Sequence, residues 1–444
     1  MIGYSLLFVW AVMWGFSLAT NRDIFSPAKM YMFSVFFYFA DIFVNPYDDA
    51  VTVTYSALLL LGLVLAIQES YLPFHRVAQR ARVETSRMRL WPVTRTLWLL
   101  SAVPIAAQIA LIVLMGGING YVNTLGMRVL EHRGLGPVTM LIGIFPVINV
   151  VYFTVGLLSR EAGKGWWLGY SAHGLLYVII GLASGSRGAL LNNVVLMLMA
   201  YHYLRRRVPL TGSLVVAAGV LVAASLIGAA RNGIKMGDEG LVTGLENHNQ
   251  STFESSHFHY GLEPLVLVYS RPPDELHLGL TFATVFTNPI PRVIWPGKPE
   301  TGGVVLTKLY TDDAWDGASN LSTGLIAESV LNFGWWIGVP FGFFLIWGAM
   351  TYVGVKYDLL NRRYLSMGGC EKIQPVLAYL FLVFLVTSLL CGEFTSSIIT
   401  AVVGRLLPLA VIGGIIVRVS GYRQQNYRIP RVAASRRFAH QPTR

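Results

Sequence analysis

The chain has 444 residues, 54% of them hydrophobic and only 13% charged, against roughly 45–50% and roughly 25% in a soluble domain. Mean hydropathy is +0.55, yet 34 lysines and arginines outnumber 23 acids, for a net charge of +11. A soluble chain that basic would point to nucleic acid. This one has too little polar surface to solvate a globule of its size, so nucleic acid is excluded as a partner. The class is an all-α polytopic membrane protein whose first partner is the lipid bilayer.

Stretches of about 18 or more apolar residues cross a bilayer core, and hydropathy predicts eleven spans: 2–20, 29–46, 51–71, 97–116, 138–158, 166–184, 189–204, 209–229, 336–355, 375–392 and 398–417. No Lys or Arg precedes the first span and Arg22 follows it, so it reads as a membrane helix with its N-terminus outside rather than a cleaved signal. Eleven spans then put the C-terminus inside. Cations favour the inner side, and the predicted inner connections carry 24 cations against six acids, the outer ones nine against 17. Arg405 lies within the last span. The division is therefore an N-terminal bundle (1–230), a large outer loop (231–335) between spans eight and nine, three C-terminal spans (336–420) and a basic inner tail (421–444), expected to be disordered near anionic lipid.

The outer loop is too long for an idle connection. Its apolar pieces 262–269 and 278–287 are too short to span, and read as interfacial or re-entrant helices. Cys370 and Cys391 fall on opposite sides and cannot pair. No CxxC, HExxH or phosphate-binding glycine loop is present, so neither a metal nor a cofactor is expected.

Topology accounts for the inner cations, so the outer ones carry the information. Arg128, Arg133, Arg187, Arg231, Arg292 and Lys298 sit at helix ends or in short motifs. Arg187 belongs to the turn Ser184-Gly185-Ser186-Arg187-Gly188, where glycines allow close approach of a ligand. Arg231, in Ala230-Arg231-Asn232-Gly233, repeats that arrangement after the next span. One such arginine would suit snorkelling to lipid phosphate; two favour a bidentate phosphate site. Arg405 lies roughly 10 Å below the outer start of the last span, where an ionisable group faces a bundle interior or a wet cavity. The alternatives are an internal ion pair or a helix end that falls elsewhere. In the loop, Asn288-Pro289-Ile290-Pro291-Arg292-Val293-Ile294-Trp295-Pro296-Gly297-Lys298-Pro299 holds four prolines, which fix an extended path. Arg292, Trp295 and Lys298 on it suit an anion attached to a sugar.

Among the acids, Glu328, in Leu325-Ile326-Ala327-Glu328-Ser329-Val330-Leu331-Asn332-Phe333-Gly334, reads as lying on a helix leading into span nine. It is the leading general-base candidate, followed by Glu263 and His257; an ion pair with an arginine is the rival for Glu328. His257 and His259 form an HxH with no further ligand spacing. His173 and His202, inside spans, read as hydrogen-bonded core residues.

The turn at Arg187, the Arg231-Asn-Gly after the next span, Pro291-Arg292-x-x-Trp295-Pro-Gly-Lys298-Pro, and Glu328-Ser-Val-Leu-Asn-Phe-Gly before a span occur in this order across roughly 185–340. Together they resemble the Wzy-type O-antigen and oligosaccharide repeat-unit polymerases. That resemblance implies a bacterial inner-membrane glycosyltransferase with a GT-C-like bundle. Such an enzyme polymerises repeat units carried on undecaprenyl diphosphate at the periplasmic face, in some systems beside a chain-length regulator. It also implies that Arg187, Arg231 and Arg292 hold the lipid diphosphate, with Arg405 and Lys298 as further candidates on physical grounds. Direct displacement would invert the anomeric centre, and guanidiniums would stabilise the leaving diphosphate without a metal. Two rivals remain: an O-antigen ligase acting on lipid A core, and a lipid-linked sugar flippase, which predicts charges near the midplane and a repeat between halves.

Overall fold

With no water in the bilayer core to satisfy backbone groups, apolar stretches of this length have one open form, the helix, and helices dominate the chain. The computed structural model describes residues 2–71, 87–124, 134–183, 187–215, 218–219, 222, 234–237, 240–243, 259–290, 294–310 and 320–421. The N-terminal part comprises α1 (Ile2–Thr20), α2 (Pro27–Phe39, continued by a 3-10 turn Ala40–Phe43), α3 (Asp49–Ser70), α4 (Leu90–Leu114), α5 (Gly117–Thr124), α6 (Gly136–Ile142), α7 (Phe145–Leu158), α8 (Lys164–Ala183) and α9 (Arg187–Leu204). A two-stranded antiparallel ribbon follows, Ile234–Gly237 against Gly240–Thr243. Then come α10 (Glu263–Ser270), α11 (Leu280–Thr287), α12 (Gly302–Tyr310), α13 (Gly324–Arg362), α14 (Ile373–Ser388) and α15 (Phe394–Ala401), the last running through a π turn at Val402–Leu406 into α16 (Leu407–Val419). Pro27, Pro137, Pro146, Pro264 and Pro408 each open a helix, where their missing N–H costs nothing.

Among the described residues, seven helical stretches are long and apolar enough to cross a membrane: Ile2–Thr20, Asp49–Ser70, Leu90–Leu114, Gly136–Leu158, Gly324–Ser366, Gly369–Ser388 and Phe394–Val419. The protein is multi-pass. Eleven spans were expected; those at 29–46, 166–184, 189–204 and 209–229 are not among these seven, and Leu190–Leu204 is a shorter apolar helix. The segment expected at 29–46 is a 13-residue helix ending in a 3-10 turn, too short for a bilayer by itself. The span expected at 209–229 lies largely outside the described residues. The loop pieces behave as their length dictates, forming the short helices α10 and α11.

The departure that matters most is α13. At Gly334 the backbone turns to φ 71°, a left-handed value that glycine adopts without strain. Residues 324–333 and 335–362 are consequently two helices rather than one. They fold against each other: a Cβ on Gly338 would lie 2.7 Å from the carbonyl carbon of Ser329, and one on Gly342 would lie 3.0 Å from Ile326 Cα. Gly334, Gly338 and Gly342 form a small-residue stripe at spacing four, the pattern that lets helix backbones touch. Glu328 was expected on a helix leading straight into the span; it sits instead on the arm folded back beside it.

Two ends of the bundle can be told apart. At the end bearing the loop, α2 finishes beside the start of α1, where Gly3 abuts the Phe43 carbonyl, and Tyr269 of α10 meets Thr54 near the start of α3 at 2.7 Å. At the opposite end a buried polar knot ties four helices together. Asp23 accepts from Tyr357 at 2.6 Å and lies 3.1 Å from His202 Nε2. Asn21 donates to Glu69 at 2.5 Å, and Lys29 donates to Ser26 at 3.0 Å. Lys29, which charge sorting treats as a rim cation, is fully buried. Arg89, Arg205, Arg206, Arg207, Arg362 and Arg363 flank helix termini at this same end.

Candidate functional site

The folded-back arm of α13 carries a polar stripe into the loop end. Glu328, Ser329 and Asn332 are each 0% exposed, so their polar atoms must find partners within the protein. Glu328 Oε1 accepts from Thr281 of α11 at 3.0 Å, and Oε2 accepts from Thr323 at 3.0 Å and from the Phe394 amide at 2.9 Å. That amide belongs to the first residue of α15, where a helix leaves donors open and a negative charge is favourable. Asn332 completes the set. Its Nδ2 donates to Thr281 at 2.6 Å and its Oδ1 accepts from the Gly279 amide at 2.9 Å. The amides of His277 and Leu278 cap the arm's last carbonyls, Leu331 at 3.2 Å and Asn332 at 2.9 Å. Gly302, at the start of α12, presses so close that a Cβ there would meet Glu328 Cδ at 2.6 Å.

Glu328 thus gathers α11, α12, the 320–323 segment and α15 around one carboxylate. Both of its oxygens accept from donors of the surrounding segments, and its atoms are sealed from solvent. A general base needs an acceptor atom within reach of a substrate proton, and this carboxylate offers none in the arrangement seen. The geometry makes it a fastener of the outer segments.

The other candidates scatter. Arg187 is the first residue of α9. Arg231, Arg292 and His257 lie outside the described residues. Glu263 is half-buried in the first turn of α10, where its charge complements the helix dipole. Lys298 Nζ donates to the carbonyls of Asn288 at 2.9 Å and Ile290 at 2.8 Å, so it braces the proline-rich turn from within. Both intramembrane histidines are core residues. His173 is stacked on Phe145 at 4.6 Å and bonded to Ser101 and Asn149, while His202 pairs with Asp23.

Arg405 behaves differently from all of these. It lies on the π turn of the last span, a helix irregularity frequent at functional sites. Its guanidinium carbon is 6.0 Å from the centre of the Phe381 ring. Among the described residues no carboxylate stands within ion-pair distance of it. The internal ion pair weighed as its alternative is therefore not found among them. Sequence reasoning located this cation from its depth alone; it gave no hint of Asp41 and Tyr47, which meet His259 at the loop end.

Among the described residues no group of three or more His, Cys, Asp or Glu is placed to hold a metal ion. The chain matches no protein-family model, no curated protein and no solved structure.

Proposed function

We propose that this protein is a membrane glycosyltransferase that joins oligosaccharide repeat units carried on undecaprenyl diphosphate, with its loop end facing the periplasm. The observation that carries the reading is Arg405: a guanidinium within a membrane helix, without a carboxylate partner among the described residues. Such a charge is costly in lipid unless an anion joins it, and a diphosphate between a polyprenyl tail and a sugar brings a double anion to that depth. Arg187, Arg231 and Arg292 are assigned to the same diphosphate by the motif resemblance, and the basic termini at the opposite end agree with that end being cytoplasmic. When the anomeric carbon–oxygen bond breaks, negative charge develops on the diphosphate, and fixed guanidiniums lower the barrier by stabilising it.

The test is reconstitution of the full chain in liposomes with lipid-linked repeat units extracted from the source cells, followed by gel analysis of chain length. Wild type is expected to produce a ladder, Arg405→Ala to lose it while remaining folded, and Arg405→Lys to retain part of it. Transfer of lipid-linked units across the bilayer with no new glycosidic bond would overturn the reading in favour of a flippase. A single transfer to lipid A core without a ladder would indicate a ligase.

A further inference from the structure

The 3-10 turn that ends α2 carries Asp41, and the segment leading to α3 carries Tyr47. The Tyr47 hydroxyl donates to Asp41 Oδ2 at 2.5 Å and lies 3.4 Å from His259 Nδ1. His259 Nδ1 itself stands 3.9 Å from Asp41 Oδ2. Asn45 Nδ2 reaches both Asp41 oxygens at 3.0 Å, which fixes the carboxylate in the turn. Burial and the bond to Asp41 push the Tyr47 phenol well above its usual range, so its proton stays in place and points at the carboxylate. The Tyr47 oxygen is then left as an acceptor, and the group that faces it is the Nδ1–H of His259. That bond selects the tautomer in which Nε2 carries the lone pair. The His259 side chain is 43% exposed, and Nε2 has no partner among the described residues.

His259 is also held in position from below. The Gly261 amide donates to the Tyr38 carbonyl at 3.0 Å, and the Leu262 amide to the His259 carbonyl at 2.9 Å. Gly261 accommodates the Phe39 ring where any Cβ would collide with it, and Leu262 is fully buried. A 3.4 Å contact is long for a working hydrogen bond, but catalytic contacts commonly tighten only when substrate is bound.

We propose that Asp41, Tyr47 and His259 form a hydrogen-bond relay in which His259 Nε2 is the general base of the transferase. The inference rests on the glycosyl-transfer reading above. The acceptor sugar's hydroxyl oxygen forms a bond to the anomeric carbon of the donor as its proton passes to Nε2. The electron pair of the breaking carbon–oxygen bond leaves with the diphosphate. The imidazolium formed is stabilised through Tyr47 by Asp41 and returns its proton to solvent. Tyr47 and Asp41 are positioning residues; His259 alone touches the reacting hydroxyl.

Two measurements test this. In liposomes with the same extracted lipid-linked units, His259→Ala and His259→Gln should lower kcat by about 10²–10³-fold, the range expected for loss of a general base, with KM for the lipid-linked donor within about threefold of wild type. Tyr47→Phe should lower kcat by about tenfold. Independently of activity, 15N spectra of histidine-labelled protein, with His259 assigned by its loss in His259→Gln, should show the Nδ1–H tautomer in wild type and a mixture in Tyr47→Phe. A wild-type ladder that persists in His259→Ala at similar kcat overturns the relay and leaves the transferase reading standing. A wild type that forms no glycosidic bond overturns both. An Nε2–H tautomer in wild type overturns the relay whatever the activity.

Discussion

Consider replacing Glu328 with alanine and, separately, with glutamine. Alanine removes the acceptor of three buried donors: the Thr281 and Thr323 hydroxyls and the Phe394 amide. The hydroxyls can rotate toward other acceptors; the amide cannot. One stranded buried donor costs about 1–3 kcal/mol, and the four missing side-chain atoms add a cavity beside Gly302, for a total of about 3–5 kcal/mol. Glutamine can keep the framework. With its carbonyl oxygen in the Oε2 position it accepts from Thr323 and Phe394, and its NH2 donates to Thr281, for a loss of about 1 kcal/mol. Since about 1.4 kcal/mol is a factor of ten, backbone amides in 277–290 and 389–397 should exchange with deuterium roughly 10²- to 4 × 10³-fold faster in Glu328→Ala. In Glu328→Gln the acceleration should stay within about tenfold, and the glutamine variant should keep most transferase activity. Exchange in the alanine variant unchanged from wild type would refute the fastening argument. A stable but inactive glutamine variant would return Glu328 to the chemistry.

Gly338→Leu should separate the two halves of α13, because a Cβ there already lies 2.7 Å from Ser329 backbone; the protein should lose thermal stability in detergent, whereas Gly348→Leu, whose Cβ meets nothing within 4 Å, should not. Lys298→Ala removes a donor from the Asn288 and Ile290 carbonyls and should speed proteolysis of the 288–299 turn while leaving affinity for the lipid-linked donor within about threefold. At the opposite end, burial pushes the Asp23 carboxyl up, but the bond and charge of His202, with Arg207 and Tyr357, outweigh it and hold it well below the usual carboxylate range. Its contribution is thus complete above its unfolded value of about 4 and declines as pH falls below that. Melting temperature should drop between pH 5 and pH 3 in wild type, with a shallower drop in Asp23→Asn.

Periodic and compositional features were legible in the sequence. Hydropathy marked all seven stretches that are long and apolar enough to cross a membrane among the described residues, together with four more that are not among them, and fragment length alone identified α10 and α11 as too short to span. The spacing of Gly334, Gly338 and Gly342 is also visible in the sequence, but such a stripe announces close helix approach and not the reversal at Gly334. Long-range pairing carries no such signal. Asp23 meets Tyr357 across 334 positions, and Tyr47 meets His259 across 212, with nothing in local spacing to announce either. Glu328 stands out in the sequence as an acid within an apolar helical stretch. Its role was not legible, because its partners Thr281, Thr323 and Phe394 come from three separate segments. The same applies to Lys298, whose partners are backbone carbonyls that any sequence would supply.

One consequence follows for the helix formed by 335–362. It is gripped at both termini, by the Gly334 turn beneath the 277–278 strap and by Tyr357 in the Asp23 knot. A rod of 28 residues spans about 40 Å, more than a typical hydrocarbon core of about 30 Å. It must tilt or emerge, and the degree of tilt depends on the bilayer around it. Because neither terminus can slide independently, lipid thickness acts on the loop end and on the polar knot together, and acyl-chain length becomes a variable that any assay of this protein has to hold fixed.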